Sequence, residues 1–419
     1  MTMLDRFFRT LIRSGPLTVI GPAGKSRSYG EPVPEVRPVS IRIHDRRTAR
    51  AILRNPALGF GEGWMDGRLT VEDGGIRALA DLIGFNIRWE KENPVRAALW
   101  RPRRIGAALS VWNWRRRSRR NVAHHYDLSD ELFALFLDSE RQYSCGYFAV
   151  PGASLDEAQS AKMAHIAAKL RLEPGQHVLD IGCGWGGLAL HLARSFEVEV
   201  TGITLSERQL AAARKRAEEE GLSGRVRFAL ADWRDVRGRF DRIVSVGMFE
   251  HVGPPFYSRF LDRCRDLMTE DGVMLLHTIG RADGPGATDP WLAKYIFPGG
   301  YVPALSQIAP AIERSWLWLT DLEVWRLHYA RTLEHWYDRV EQARDEIVAL
   351  YDERFLRMWQ FYLAGGIAAF RHDGHVVFQI QLARRRDSLP LSRDYMGEGD
   401  LALTARKQLL DQDSIAGLP

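Results

Sequence analysis

The residues most able to do chemistry fall in a few short runs. Val178-Leu-Asp-Ile-Gly-Cys-Gly-Trp-Gly-Gly187 carries glycines at 182, 184 and 186. Without side chains there, a ligand can reach the backbone. A helix opening at about Leu188 would turn its first amides toward a polar group. Four more runs hold groups that donate, accept or move protons: Gln142-Tyr-Ser-Cys-Gly-Tyr147, Gly247-Met-Phe-Glu-His-Val-Gly253, Leu276-His-Thr-Ile-Gly280 and His328-Tyr-Ala-Arg-Thr-Leu333. Taken singly, each key residue also has an ordinary structural role. Cys145 suits a small buried hydrophobe, Glu250 a helix cap, His277 a core histidine, and Tyr329 one more ring in an aromatic segment.

These runs need a scaffold of alternating strands and helices, and the sequence has one. Strands are expected at His177 to Ile181, Val198 to Ile203, Val226 to Leu230, Arg242 to Val246 and Val273 to His277. Helices separate them, most clearly Glu207 to Glu220. Such alternation implies a parallel, doubly wound α/β sheet with its ligand beyond the carboxyl ends of the strands. Val376 to Leu382 is expected to close that sheet. From about 281 to 350 the rhythm gives way to an aromatic-rich helical insertion, including Trp291, Tyr295, Trp316, Trp318, Trp325 and Trp336. These rings would line a deep acyl pocket or form the core of a helical cap.

At 419 residues, with 45% hydrophobic and 26% charged content, the chain has room for more than one domain. Residues 1–95 read as a small N-terminal α+β domain, with strands at Leu17 to Ile20 and Val39 to Ile43 and turns at Gly61-Glu-Gly63 and Met65-Asp-Gly67. An arginine-rich linker (96–121), a catalytic domain (122–388) and a polar tail (389–419) follow. Leu4, Phe7, Phe8, Leu11 and Ile12 set against Arg6, Arg9 and Arg13 give a short amphipathic helix, docked on its own domain or on a membrane. Cysteines at 145, 183 and 264 are too scattered for a disulfide framework or a zinc cage, and no metal site is expected. No run is apolar enough for a membrane span and no signal peptide is visible, so a cytoplasmic location is expected. Residues 101–120 carry eight arginines and no acid around Trp112 and Trp114. That stretch is a solvated linker or contacts a polyanion; without a nucleic-acid-binding signature, an anionic membrane surface is favoured and no nucleic-acid partner is expected.

Leu179-Asp180 before the glycines at 182, 184 and 186 resembles the first motif of Rossmann-like S-adenosylmethionine (SAM) methyltransferases. The candidate cofactor residues are Tyr143, Ser144, Asp180, Gly182, Gly184, Gly186, Thr204, Gln209, Asp232 and Trp233. No acid ends the second strand, which argues against a nicotinamide dehydrogenase and leaves Thr204 and Gln209 for the ribose. Ser206-Glu-Arg-Gln209 also reads as a capping box. Asp232 and Trp233 suit the amine and face of adenine, or a surface turn and a core ring.

Jointly the runs resemble the cyclopropane-fatty-acyl-phospholipid synthase family over about 122 to 385, with His125-Tyr-Asp-Leu128 and Asp289-Pro-Trp-Leu-Ala-Lys-Tyr-Ile-Phe-Pro-Gly299 as further matches. Residues 1–95 resemble the N-terminal domain of full-length bacterial synthases. The resemblance implies a Rossmann-like SAM methyltransferase that puts a methylene across a cis double bond of a membrane phospholipid's acyl chain. A carbocation would form and lose a proton to bound bicarbonate, held by Cys145, Glu250, His277, the backbone at Ile279 and Tyr329. Charge and aromatics, rather than the resemblance, point to peripheral membrane association through residues 1–95 and the arginine-rich stretch, and the resemblance is compatible with a homodimer. The alternatives are the same cation ending in a methyl- or methylene-branched chain, or a catalytically silent SAM- or lipid-binding protein.

Overall fold

The computed structural model describes residues 3–90 and 128–397. The arginine-rich stretch 96–121, His125 to Asp127 and the tail from 398 lie outside the described residues. Two compact units emerge. One comprises residues up to Ser110 with Arg281–Val302 and Tyr329–Val376; the other comprises Val111–Gly280, Pro303–His328 and residues from Val377 on. This partition groups much of the aromatic-rich stretch with the N-terminal segment rather than with the large sheet.

The first unit begins with α1 (Met3–Leu11), β1 (Leu17–Ile20), β2 (Ser26–Tyr29), β3 (Val39–Ile43), α2 (Arg46–Arg54), α3 (Pro56–Met65), β4 (Leu69–Asp73) and α4 (Gly75–Asn86). Its sheet runs β2-β1-β3-β4, with β1 parallel to β3. The apolar face of α1 is occupied inside the unit: Phe8, Leu11 and Ile12 are buried beside Val19, Ile41 and Leu82. The docked reading of that amphipathic helix is therefore the observed one. Gly61 to Gly63 do not form a turn as expected; they lie within α3. A Cβ at Gly61 would collide with Trp291, so glycine there serves close packing. Trp336 and Trp359 are buried within the same unit and contribute to the core of its helical part.

The second unit contains α5 (Asp130–Phe136), α6 (Leu155–Leu170), β5 (His177–Ile181), α7 (Gly187–Phe196), β6 (Glu199–Thr204), α8 (Glu207–Glu219), β7 (Val226–Leu230), β8 (Phe240–Val246), α9 (Tyr257–Leu267), β9 (Met268–Arg281), β10 (Trp318–Trp325) and β11 (His375–Ala383). Its seven strands run β10-β11-β9-β8-β5-β6-β7. The β5, β6, β7, β8 and β9 pairings are parallel, as the alternation predicts. Val178, Leu190, Leu192, Val200, Phe228 and Leu275 pack between sheet and helices.

One expectation needs correction at the far edge. β11 does not close the sheet, because β10 lies outside it and pairs antiparallel with it. The aromatic run Trp318–Trp325 hid this strand, since edge position leaves Trp318, Leu319 and Val324 exposed and erases the alternation. The chain moves outward from β5 through β6 and β7, then returns to β8 on β5's other side. That reversal opens a crevice beyond the carboxyl ends of β5 and β8, where open α/β sheets bind ligands.

Candidate active site

A cleft enclosing about 1070 Å³, its open mouth included, lies at this reversal. Its walls include Tyr143, Ser144, Asp180, Gly182, Gly184, Thr204, Gln209, Asp232 and Trp233, nine of the ten residues proposed from sequence for the cofactor. The tenth, Gly186, is the N-cap of α7 and holds a left-handed φ of 84° there. Gly184 has φ 54° and nothing within 4 Å of the position its Cβ would take, so the loop leaves open space on the cleft side.

The polar lining fits a cationic, hydroxyl-rich nucleoside ligand. Burial pushes the Asp180 carboxyl up to about 7, against the pull of Lys162, and its Oδ2 has no hydrogen-bond partner. An unpartnered buried carboxylate oxygen in a cleft wall is suited to an ammonium group. Thr204 Oγ1 donates to Gln209 Oε1 at 2.9 Å and accepts from Ser206 N at 3.2 Å. Ser206 caps α8 by accepting from Gln209 N, but the Gln209 side chain does not return to Ser206. Only half of the expected capping box forms, because Thr204 takes both reciprocal partners. Asp232 is tied to Arg234 by a 2.8 Å ion pair, and the Trp233 ring packs edge-on against Phe260.

A face of α6 that sequence reasoning overlooked grips the loop before it. Gln159 Nε2 donates to the carbonyls of Gln142 and Ser144 at 3.2 and 2.8 Å. Lys162 Nζ donates to Gln142 Oε1 at 2.7 Å and Ser144 Oγ at 2.8 Å. Lys162 is fully buried, and burial lowers its ammonium to about 8 despite Asp138, Cys145 and Asp180 nearby. The signal in the sequence was an amide and a lysine three residues apart, amid the apolar residues Ala158, Met163 and Ile166 that mark the inner face of the helix.

Of the five residues expected to hold the base, Glu250 and Ile279 are in direct contact, and His277 lies two residues before Ile279 on β9. Glu250 lies in a short 3₁₀ turn (Phe249–His251) just past Gly247 and Met248, which line the cleft. Its Oε1 accepts from Ile279 N at 2.7 Å, while Oε2 has no hydrogen-bond partner. The Ile279 amide is thus engaged in orienting Glu250. Burial raises the Glu250 carboxyl to about 7, with the Ile279 hydrogen bond opposing it. His277, at the register of Val246, is buried, and burial drives its ring well below the usual histidine range, so it is neutral. Its Nδ1 lies 3.1 Å from Gln379 Nε2, and its ring stands edge-on to Trp325. Cys145 is fully buried, its Sγ donating to Gly146 O, one residue beyond the Ser144 that Lys162 holds. Tyr329 belongs to the first unit, where its ring packs on Trp336 and Phe370.

A second buried ionic group escaped sequence reasoning. Glu323 on β10 receives His165 Nε2 at 2.7 Å and the Lys169 ammonium. Burial alone would raise its carboxyl, but these partners hold it far below the usual carboxylate range. His165 also stacks on Tyr147, which stacks in turn on Trp325 and His328.

A doubly wound sheet with a glycine loop, an acid and hydroxyl-lined cleft at its switch point and a buried Glu–His pair beside it define a SAM-dependent methyltransferase. More narrowly, residues 113–380 match the family of mycolic acid cyclopropane synthetases, and the chain belongs to that family. It is 38% identical to the cyclopropane-fatty-acyl-phospholipid synthase of Escherichia coli K12 over 349 residues, covering 83% of this chain and 88% of the relative. Identity reaches 42% over 287 residues with a probable fatty acid methyltransferase of Pseudomonas putida, covering 66% of this chain and 73% of that one. Among solved structures it resembles the mycolic acid cyclopropane synthase CmaA1 complexed with SAH and CTAB, with a TM-score of 0.60 and 33% identity, covering 63% of this chain and 98% of that one.

Proposed function

We propose that this chain adds a methylene, taken from SAM, across a cis double bond of an unsaturated acyl chain in a membrane phospholipid, leaving a cyclopropane ring. Glu250 carries the reading: a buried carboxyl titrating near 7, with one free oxygen, beside a neutral His277 and next to the cofactor cleft. SAM, when bound, supplies an electrophilic sulfonium methyl. An alkene is a weak nucleophile and its attack leaves a carbocation, so the ring closes only if the new methyl group loses a proton to a mild base. The cluster suits bicarbonate as that base. Glu250 Oε2 would take the hydrogen of the anion, while His277, Cys145 and, by resemblance, Tyr329 would donate to its oxygens. Asp180 would meet the cofactor's ammonium, Thr204 and Gln209 its ribose, and Asp232 and Trp233 its adenine.

The test is mass spectrometry of monounsaturated phospholipid vesicles incubated with purified protein and SAM, with fragmentation to locate the new carbon. One added methylene per chain, as a ring, requiring bicarbonate and lost in Glu250→Gln, supports the reading. A branched alkene would favour the second reading, to which the Pseudomonas relative's name lends weight. SAM binding without any product would leave a silent binder.

Among the described residues no helix is long and apolar enough to cross a membrane. From the eight arginines of residues 101–120 around Trp112 and Trp114, we propose that peripheral attachment, through residues 1–95 and the arginine-rich stretch, brings the enzyme to its lipid. Vesicle flotation that ignores anionic lipid, or the neutralisation of Arg115, Arg116 and Arg117, would refute this.

A further inference from the structure

We propose that Gln379 is a positioning residue that locks His277 in one neutral tautomer, with its proton on Nε2, so that the ring offers an N–H donor to the reaction cluster. The inference rests on the role given above to His277. Gln379 lies on β11, a strand whose residues after His375 are all buried. Its Nε2 sits 3.1 Å from His277 Nδ1. An amide nitrogen can only donate, so Nδ1 must be the accepting, unprotonated nitrogen and the ring proton must sit on Nε2.

The cost of this arrangement is visible in the same side chain. Gln379 Oε1 is buried without a hydrogen-bond partner. Burying an unpartnered acceptor weakens a fold, so a leucine would suit this interior position better on stability grounds alone. Gln381, two residues on and also buried, differs in that its amide donates to Lys169 O and the Tyr395 hydroxyl. An interior amide whose hydrogen bond goes to a reactive imidazole is explained by the imidazole. The surroundings of His277 keep its ring neutral: burial first, then the charges of Lys162 and Lys169, with Glu323 opposing and His165 adding to them. A neutral ring has two tautomers, and among these groups it is Gln379 that contacts Nδ1 and selects between them.

The experiment uses the full chain labelled with 15N-histidine, with His277 assigned by its loss in His277→Asn. Wild type should show Nδ1 as the unprotonated nitrogen and Nε2 as the protonated one. Gln379→Leu should give mixed tautomers and a kcat 10- to 100-fold lower, with KM for SAM unchanged within about threefold. Gln379→Glu should draw the proton to Nδ1, lower kcat further and move the acidic limb of the pH profile upward, because a carboxylate now favours the imidazolium. A wild-type ring protonated on Nδ1, or a Gln379→Leu protein with the wild-type tautomer and pH profile, would overturn the proposal. Because the tautomer is read without turnover, a wild type that shows the Nε2–H form yet makes no cyclopropane would refute the proposed reaction while leaving the lock in place.

Discussion

Replacing Lys162 with methionine sets two energies against each other. The ammonium titrates at about 8 rather than at lysine's ordinary 10.5, because it is buried. At about 1.4 kcal/mol per pH unit, holding it charged below pH 8 costs the fold roughly 3 kcal/mol. Methionine keeps most of the volume and removes that cost. It also strips Gln142 Oε1 and Ser144 Oγ of the donor they share, at about 1–3 kcal/mol each. At pH 7 the two effects largely offset, and the variant should lie within about 3 kcal/mol of wild type. The pH dependence is the sharper observable. The folded pKa is below the unfolded one, so between about 8 and 10.5 the unfolded chain holds a proton that the folded chain has released. Wild-type stability must then rise with pH across that window, by about 3 kcal/mol relative to the variant, while below pH 8 the difference is flat. Urea unfolding of both proteins from pH 7 to 10.5 measures it, and groups titrating alike in both cancel. Stability curves that stay parallel throughout would refute the buried, charged lysine. Activity should fall at least about tenfold in the variant at pH 7, since the loop that carries Tyr143 to Cys145 loses its anchor.

Four further outcomes follow from the same geometry. Because burial lifts Glu250 to about 7, its carboxyl holds a proton below that pH; the rate should climb from pH 6 to 8, and Glu250→Gln should lose that limb with activity down at least about 100-fold. The same raised pKa makes the buried carboxylate unfavourable above pH 7, so Glu250→Gln should be about 1–3 kcal/mol more stable than wild type at pH 8 and show no such gain at pH 4, by urea unfolding. Gly184→Val should lose about 2 kcal/mol of stability, from its φ of 54°, and bind SAM at least about tenfold more weakly by calorimetry, since its side chain enters the open side of the loop. Glu323→Gln removes the carboxylate shared by Lys169 and His165 and should cost about 3 kcal/mol at pH 7. That stabilisation belongs to a depressed carboxyl, so it is present above the ordinary carboxylate pKa and fades as pH falls, and the two proteins should converge in acid.

The cofactor side was legible because its parts are local. A strand, three glycines and a helix start lie within eleven residues, and Thr204, Asp232 and Trp233 sit at or just past the ends of strands whose apolar runs mark them. The expected strands at His177, Val226 and Val39 match the observed ones in full. What stayed hidden depends on distant parts of the chain. Nothing near Gln379 announces that its partner is 102 residues earlier, nor near Lys169 that its carboxylate is 154 residues later. Gly61 and Gly63 read as a turn because glycine favours turns, and only the Trp291 side chain against Gly61 explains their place in a helix. β10 was missed for the opposite reason, as a strand with exposed tryptophans at a sheet edge lacks the alternation that identifies one.

The grip of α6 on residues 142–145 explains why the missed residues matter to the reaction. Tyr143 and Ser144 line the cofactor cleft, while Cys145, assigned above to the proposed base, is fully buried. One short loop therefore sets the spacing between the methyl donor and the proposed base. A loop of this kind would normally be among the more mobile parts of a fold. Here two carbonyls and two side chains are pinned by Gln159 and Lys162 from a single helix turn, and that helix is anchored at its other end by His165 and Lys169 on Glu323. In the proposed reaction the methyl group is first transferred and then itself deprotonated, so an error of an ångström between the two sites would be felt in both steps. A buried lysine that weakens the fold at neutral pH is then understandable as the cost of holding that spacing.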